Sequence, residues 1–194
     1  MKRSTAVRHL REMAATATGM MRLRESEIGW PLEELWIAGE LLTGAQDIEV
    51  GAVVLLLDVA LPWLATHPTG DWVGDHLRLG KRPFHWFYRP AVWPAWNPAH
   101  RRVIRLWTAE AGLDQDAIDT AGRARAIATP SPAEMAEQFQ MELAVSRRHL
   151  HEVLDRFWDP DWRSLHRSPG RAEDHLWRAA QGVRELEEAI EANP

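Results

Sequence analysis

Val50-Gly51-Ala52-Val53-Val54-Leu55-Leu56-Leu57 runs for eight positions without a polar side chain, and its valines favour extended backbone. A strand with one wet face alternates apolar and polar residues. This one does not, so burial on both faces and a central place in a sheet are expected. Upstream, Leu35-Trp36-Ile37-Ala38 reads as a short buried strand ending at Gly39, with a turn or short helix over Glu40 to Gln46. Downstream, Pro62, Pro68, Gly70, Gly74, Gly80, Pro83, Pro90, Pro94 and Pro98 punctuate the chain. Phe84 to Arg89 forms a strand candidate between those breaks. Val103 to Gly112 is a further short element of undecided type, and Asp114 to Arg125 reads as a short helix.

Helical patterns occupy both ends. Val7, Leu10, Met13, Ala14, Ala17, Met20 and Met21 recur at spacings of three and four across residues 4 to 24, with Ser4 placed to cap. Ser131-Pro132-Ala133-Glu134 is a capping box with proline at the first helical position, and it opens a long helix. Met135, Phe139, Leu143, Leu150, Val153, Leu154 and Phe157 form its stripe, and Asp159-Pro160-Asp161 stops it. After a turn at Ser168-Pro169-Gly170, a last helix carries Ala172, Leu176, Ala179, Ala180, Val183, Leu186 and Ile190 on one face. The expected fold class is α+β, a small mixed sheet followed by an antiparallel helical pair. The expected division is an α/β region over 1–128 and a helical region over 129–194 packed on it.

With 194 residues, 45% hydrophobic and 26% charged, the chain has the composition of an ordinary globular protein able to bury a core. It contains no cysteine, which removes disulfides, thiolate catalysis and Cys-based metal sites. No apolar run approaches membrane-spanning length, and Arg8, His9, Arg11 and Glu12 interrupt any secretory h-region, so a cytoplasmic location with no membrane partner is expected. The formal net charge of -5 argues against general nucleic-acid coating. Yet His76 to Trp107 contains no acid and seven basic residues, Arg78, Lys81, Arg82, Arg89, Arg101, Arg102 and Arg105, leaving -12 on the rest.

Two constellations in this sequence carry chemistry. In the first, a strand ends at Gly39, Glu40 follows, Gly44 comes five residues on, and Asp47-Ile48-Glu49 leads into the apolar run. This arrangement resembles the nucleotidyltransferase superfamily. There a Gly-Ser pair after the first strand holds nucleotide phosphates, two acids bind two metal ions, and a later strand supplies a third acid. The resemblance implies that Gly39 and Gly44 match the glycines and that Asp47 and Glu49 match the metal pair, catalytic and Mg2+-binding if the site is active. The departures are Glu40 in place of the phosphate-binding serine, a short loop, and no evident third acid. Asp58 lies at the far end of the strand, and His85 stands about where an acid would be. Solvated turn residues are the alternative for Asp47 and Glu49. The chain also resembles an uncharacterised bacterial family with a Trp-rich middle and a final helix of the Glu173-Asp174-His175-Leu176-Trp177-Arg178 type.

The second constellation is Lys81-Arg82-Pro83-Phe84-His85-Trp86-Phe87-Tyr88-Arg89-Pro90, continued by Trp93, Trp96, Arg101 and Arg102. Guanidinium groups pair with phosphates and indoles stack on bases, so Arg82, Trp86, Arg89, Trp93, Trp96 and Arg101 are candidate ligand contacts, with Gly39, Glu40 and Gly44. The alternative is that the aromatics are core and the arginines pair with acids elsewhere. Trp36, Trp107 and Trp177 fall in periodic patterns and are expected in the core, and Trp158 and Trp162 are expected to seal an interhelical corner. His149 and His151, two apart on a helix, cannot chelate one ion together. There is no Gly-x-Ser-x-Gly, Gly-x-Gly-x-x-Gly or P-loop motif.

The leading expectation is a degenerate, noncatalytic nucleotidyltransferase-like protein that binds a nucleotide, another anionic small molecule or a partner protein. The alternatives are an active Mg-dependent nucleotidyltransferase and a pure interaction module, for instance a homodimer.

Overall fold

Gly51–Leu57 is strand β2, and all seven of its residues are buried. In the computed structural model, which describes residues 1–24, 26, 29–59, 68–120, 129–165 and 171–192, the sheet around it has five strands. The others are β1 (Leu32–Gly39), β3 (Phe84–Pro90), β4 (Val103–Thr108) and β5 (Gly112–Leu113), in the order β3-β2-β1-β4-β5. Helix α1 (Arg3–Met20) precedes β1, α2 (Pro68–His76) lies between β2 and β3, and α3 (Gln115–Thr120) follows β5. Three C-terminal helices follow: α4 (Pro132–Arg156), α5 (Pro160–Leu165) and α6 (Ala172–Glu191). The fold is α+β. The described residues divide into two compact units, one within Met1–Val59 and Thr69–Thr129, the other within Ala60–Pro68 and Pro130–Pro194.

β1 pairs antiparallel with β2 and β4, whereas β2 and β3 run parallel, as a chain returning through a crossover helix requires. Two-sided burial explains the unbroken apolar run of β2. On one face Val54 and Leu56 pack with Trp36, Phe87, Ala91, Ala95 and Val103. That face is covered by the loop after β3. On the other side α1 buries Ala6, Leu10, Met13, Ala14 and Ala17. The ring of Phe84 meets His9 of α1 at 6.3 Å.

A bulge decides where Trp107 points. Leu35 opposes Trp107 and the next residue, Trp36, opposes Arg105, so Leu106 is an extra residue on β4. The inserted residue turns Trp107 toward α1, where its indole N–H donates to Thr18 Oγ1 at 2.9 Å. Ser4 does not cap α1. It lies inside the helix, whose N-cap position is Lys2 with no side-chain cap. The first turn is instead tied down by Arg3 N–H donating to the Gln46 carbonyl at 2.8 Å.

The stretch expected as proline- and glycine-broken chain contains α2, although its two glycines depress helical propensity. Gly74 is there for close packing: a Cβ at this position would run into the Tyr88 hydroxyl. Trp72, on the same helix, packs against Trp30 with ring centres 5.2 Å apart. Val103 to Gly112 resolves into β4 and the start of β5. Asp114 Oδ1 accepts the Ala117 N–H at 3.0 Å, starting α3, and the rest of that expected helix lies outside the described residues.

In the second unit the capping box at Ser131 and Glu134 is complete in both directions. Arg147 of α4 meets Glu187 of α6 at 2.6 Å, while Val153 and Phe157 cluster with Ala179, Leu176 and Ala172, so α4 and α6 pair antiparallel. Asp159-Pro160 both ends α4 and starts α5, because Asp159 Oδ1 accepts the N–H groups of Asp161 and Trp162 at 2.8 and 3.3 Å. Two tryptophan expectations are corrected. Trp177 is 64% exposed and Trp158 80% exposed, whereas Trp162, at 8%, joins the core cluster. Trp177 follows Leu176, and its position on α6 points away from the stripe that meets α4. The expected turn at Ser168 to Gly170 lies outside the described residues.

Gly182 sits inside α6, and a Cβ there would meet nothing within 4 Å. Gly182→Ala is therefore expected to stabilise the protein by about 0.5–1 kcal/mol through helix propensity and a restricted unfolded chain. Urea unfolding followed by circular dichroism measures this, and a loss of stability would refute it.

Candidate functional site

The edge of the sheet where β1 ends and where β2 and β3 begin brings together most residues of the first constellation. Gly39 pairs with Gly51, which pairs with Phe84, and in the adjoining row Ala38, Ala52 and His85 are neighbours. Gly39 has φ 64° and ψ -138°, a conformation open in practice only to glycine. A single helical turn, Glu40–Leu42, follows it, and Gly44 has φ 80°.

Glu40 is the organising residue of the loop. Its carboxylate accepts the backbone N–H groups of Glu49 at 2.7 Å and Val50 at 3.3 Å. A carboxylate thus fills backbone donors that would otherwise suit an anionic ligand. Asp47 and Glu49 are exposed on either side of buried Ile48 and precede β2 rather than lying on it. The Asp47 carboxylate pairs with Lys2 Nζ at 2.7 Å. The hydrogen bond from Lys2, and then its charge, hold the Asp47 pKa below the usual carboxylate value. No group of three or more His, Asp or Glu side chains able to hold a metal ion occurs among the described residues.

On the α1 side of this loop lies an open groove of about 500 Å³ lined by Arg3, Ser4, Val7, Arg8, Arg11, Glu12 and Gln46. Arg3 also supports the loop from beneath, its guanidinium donating to the carbonyls of Leu41 at 3.3 Å and Ala45 at 3.2 Å.

Strand alternation divides the basic-aromatic constellation between two faces. His85, Phe87 and Arg89 share the loop-covered face, whereas Phe84, Trp86 and Tyr88 share the helix-bearing one. Arg82 is not presented to a ligand. Its side chain is 8% exposed and donates to the carbonyls of Leu77 and His9 and to the Glu12 carboxylate at 2.9 Å. Arg89 is buried as well; its Nε donates to the Pro94 carbonyl at 2.7 Å and its guanidinium lies over the Trp93 ring at 5.4 Å. Trp93, 6% exposed, forms part of the loop's packing, and Trp96 is half-buried. Trp86, 40% exposed, and half-buried Arg101 remain at the surface.

One residue at this edge escaped sequence reasoning. Asn97 is buried, and its Oδ1 accepts the N–H groups of Ala99 and His100 at 3.0 Å each, closing a turn over Asn97-Pro98-Ala99-His100. That turn sets the His100 ring over Gly39, with Cε1 3.5 Å from where a glycine Cβ would be. The ring stands edge-on to Phe87 at 5.2 Å. Burial, and then the charge of nearby His85, lower the His100 pKa. The available signal was the Asn-Pro-x-His spacing, a side-chain-closed turn that delivers its fourth residue.

The family comparison places the whole chain in one class. It belongs to the family described as Domain of unknown function (DUF7711), whose model matches residues 1–192. No curated protein and no solved structure matches it significantly. No helix among the described residues is long and apolar enough to cross a membrane.

Proposed function

We propose that this protein is a degenerate, noncatalytic nucleotidyltransferase-like module that binds a nucleotide or a similar phosphorylated small molecule. The observation that carries the loss of catalysis is the Glu40 carboxylate seated on the Glu49 and Val50 N–H groups. It stands where the resemblance calls for a phosphate-binding serine, and its charge opposes a triphosphate there. Asp47 is engaged by Lys2, and no third acid joins it and Glu49 among the described residues. Antiparallel β1–β2, parallel β2–β3 and the glycine turn at Gly39 support the superfamily likeness. On the loop-covered face of the acid-free segment, His85 and His100 support binding of an anion, with Arg101 next to His100, whereas Trp86 lies on the opposite face of β3.

Calorimetric titration with the four nucleoside triphosphates and with monophosphates, each with and without Mg2+, tests this reading. Binding that does not require Mg2+ is expected, with no label transferred from labelled triphosphates to protein or RNA. Transfer that Asp47→Ala abolishes would establish an active enzyme instead. No heat with any nucleotide, together with a dimer in light scattering, would move the assignment to an interaction module, the reading that exposed Trp158 and Trp177 support.

A further inference from the structure

His85 and His100 reach one place from different elements. His85 lies on β3 beside Ala52, and Phe87, two residues on along the same face, stands against the His100 ring. Ala52 and His100 are also the two residues nearest the missing side chain of Gly39. His100 is half-buried and held by the Asn97 turn, yet its ring nitrogens make no hydrogen bond to any described residue. His85 is exposed, and its ring has no hydrogen-bonded partner among the described residues either. A fixed, partly desolvated imidazole with unused nitrogens, beside a second one and over bare backbone, has the parts of an anion site. Because Gly39 has no Cβ, the His100 ring packs directly over its backbone.

We propose that the imidazoles of His85 and His100, set over the Gly39 turn, bind the phosphate group of a phosphorylated small molecule. The assignment rests on the nucleotide-binding reading for the rest of the ligand only. A phosphate monoester takes one charge-assisted hydrogen bond from each protonated imidazole. The charged residues adjoining the pair along the chain are Glu40, next to Gly39, and Arg101 and Arg102, next to His100. Ala52 and Phe87, the other neighbours, are uncharged. Glu40 is held on the loop N–H groups, so the local balance favours an anion once the imidazoles carry protons. Burial holds the His100 pKa low, so binding an anion there takes up a proton and strengthens as pH falls.

The test titrates the full chain with inorganic phosphate, a nucleoside monophosphate and the matching nucleoside, following histidine Hε1 resonances by NMR between pH 6 and 8. His85→Asn and His100→Asn assign the two signals. Both are expected to move with phosphate and with the monophosphate but not with the nucleoside. Affinity for the monophosphate should be about tenfold higher at pH 6 than at pH 8, and each variant should lose about tenfold. His85 is exposed, so His85→Asn keeps the experiment decisive if His100→Asn disturbs the loop. Monophosphate binding that leaves both resonances and both variants unchanged would overturn this site while sparing the nucleotide-binding reading. Movement with inorganic phosphate alone would support the site and count against a nucleotide. No binding of any probe would sink both.

Discussion

Replacing Trp107 by alanine is expected to cost about 3–5 kcal/mol, because a large, fully desolvated side chain leaves a cavity the sheet and helix cannot close. Trp107 is 1% exposed and is among the largest fully buried side chains of the protein. The β4 bulge aims it at α1, where the indole donates to Thr18 Oγ1, a bond that ties helix to sheet across 89 positions of sequence. Thr18→Val separates the two contributions. It removes the hydrogen-bond acceptor but keeps the shape, and should cost about 1 kcal/mol. Urea unfolding of both variants followed by far-ultraviolet circular dichroism reads the difference. A loss below about 1 kcal/mol for Trp107→Ala would mean that α1 and the sheet do not share the packing described.

Arg82→Met should destabilise by about 2–3 kcal/mol at neutral pH while leaving ligand binding intact. Methionine keeps the aliphatic stem, so the loss reports the guanidinium. The carbonyls of Leu77 and His9 lose a charged donor, and the Glu12 carboxylate loses its most buried partner. The pH dependence carries its own sign. Hydrogen bonds from Arg82, and next from His9, pull the Glu12 pKa from its ordinary 4.5 down to about 2. A depressed carboxylate contributes stability that is fully present above the ordinary value and is lost as pH falls toward 2. The gap between native protein and Arg82→Met should therefore narrow over that acid window. Unchanged stability with weakened nucleotide binding would return Arg82 to the ligand site and refute its structural role.

Arg82 also shows why the candidate site was only half legible. The glycines, Glu40 and the acid pair stood out because a strand–turn–strand segment keeps its chemistry within a dozen residues. The placement of Gly39 at the end of β1 and of Asp47 and Glu49 ahead of β2 followed from that local order. Arg82, Arg89 and Trp93 looked like one binding surface because they share a stretch of sequence. Strand alternation and their bonds to Glu12, Pro94 and each other scatter them into packing roles. His100 was marked only by the Asn-Pro-x-His spacing, which does not say where the turn delivers it. It became visible once the Asn97 turn was seen to place its ring over Gly39.

Features that depend on neighbours along the chain could be read directly from the residues. The unbroken apolar run of β2 required burial on both faces. Ser131 and Glu134 marked the start of α4, and the stripe from Ala172 to Ile190 marked one face of α6. These signals are local, so no fold had to be known to read them. What each side chain bonds with its polar groups depends on residues far away in sequence. Gly74 makes room for Tyr88, the extra residue at Leu106 turns Trp107 inward, and Arg82 finds Glu12 70 positions away. Those outcomes depend on which partner lies closest in space, and the same arginine or indole would bind a ligand if no such partner reached it first.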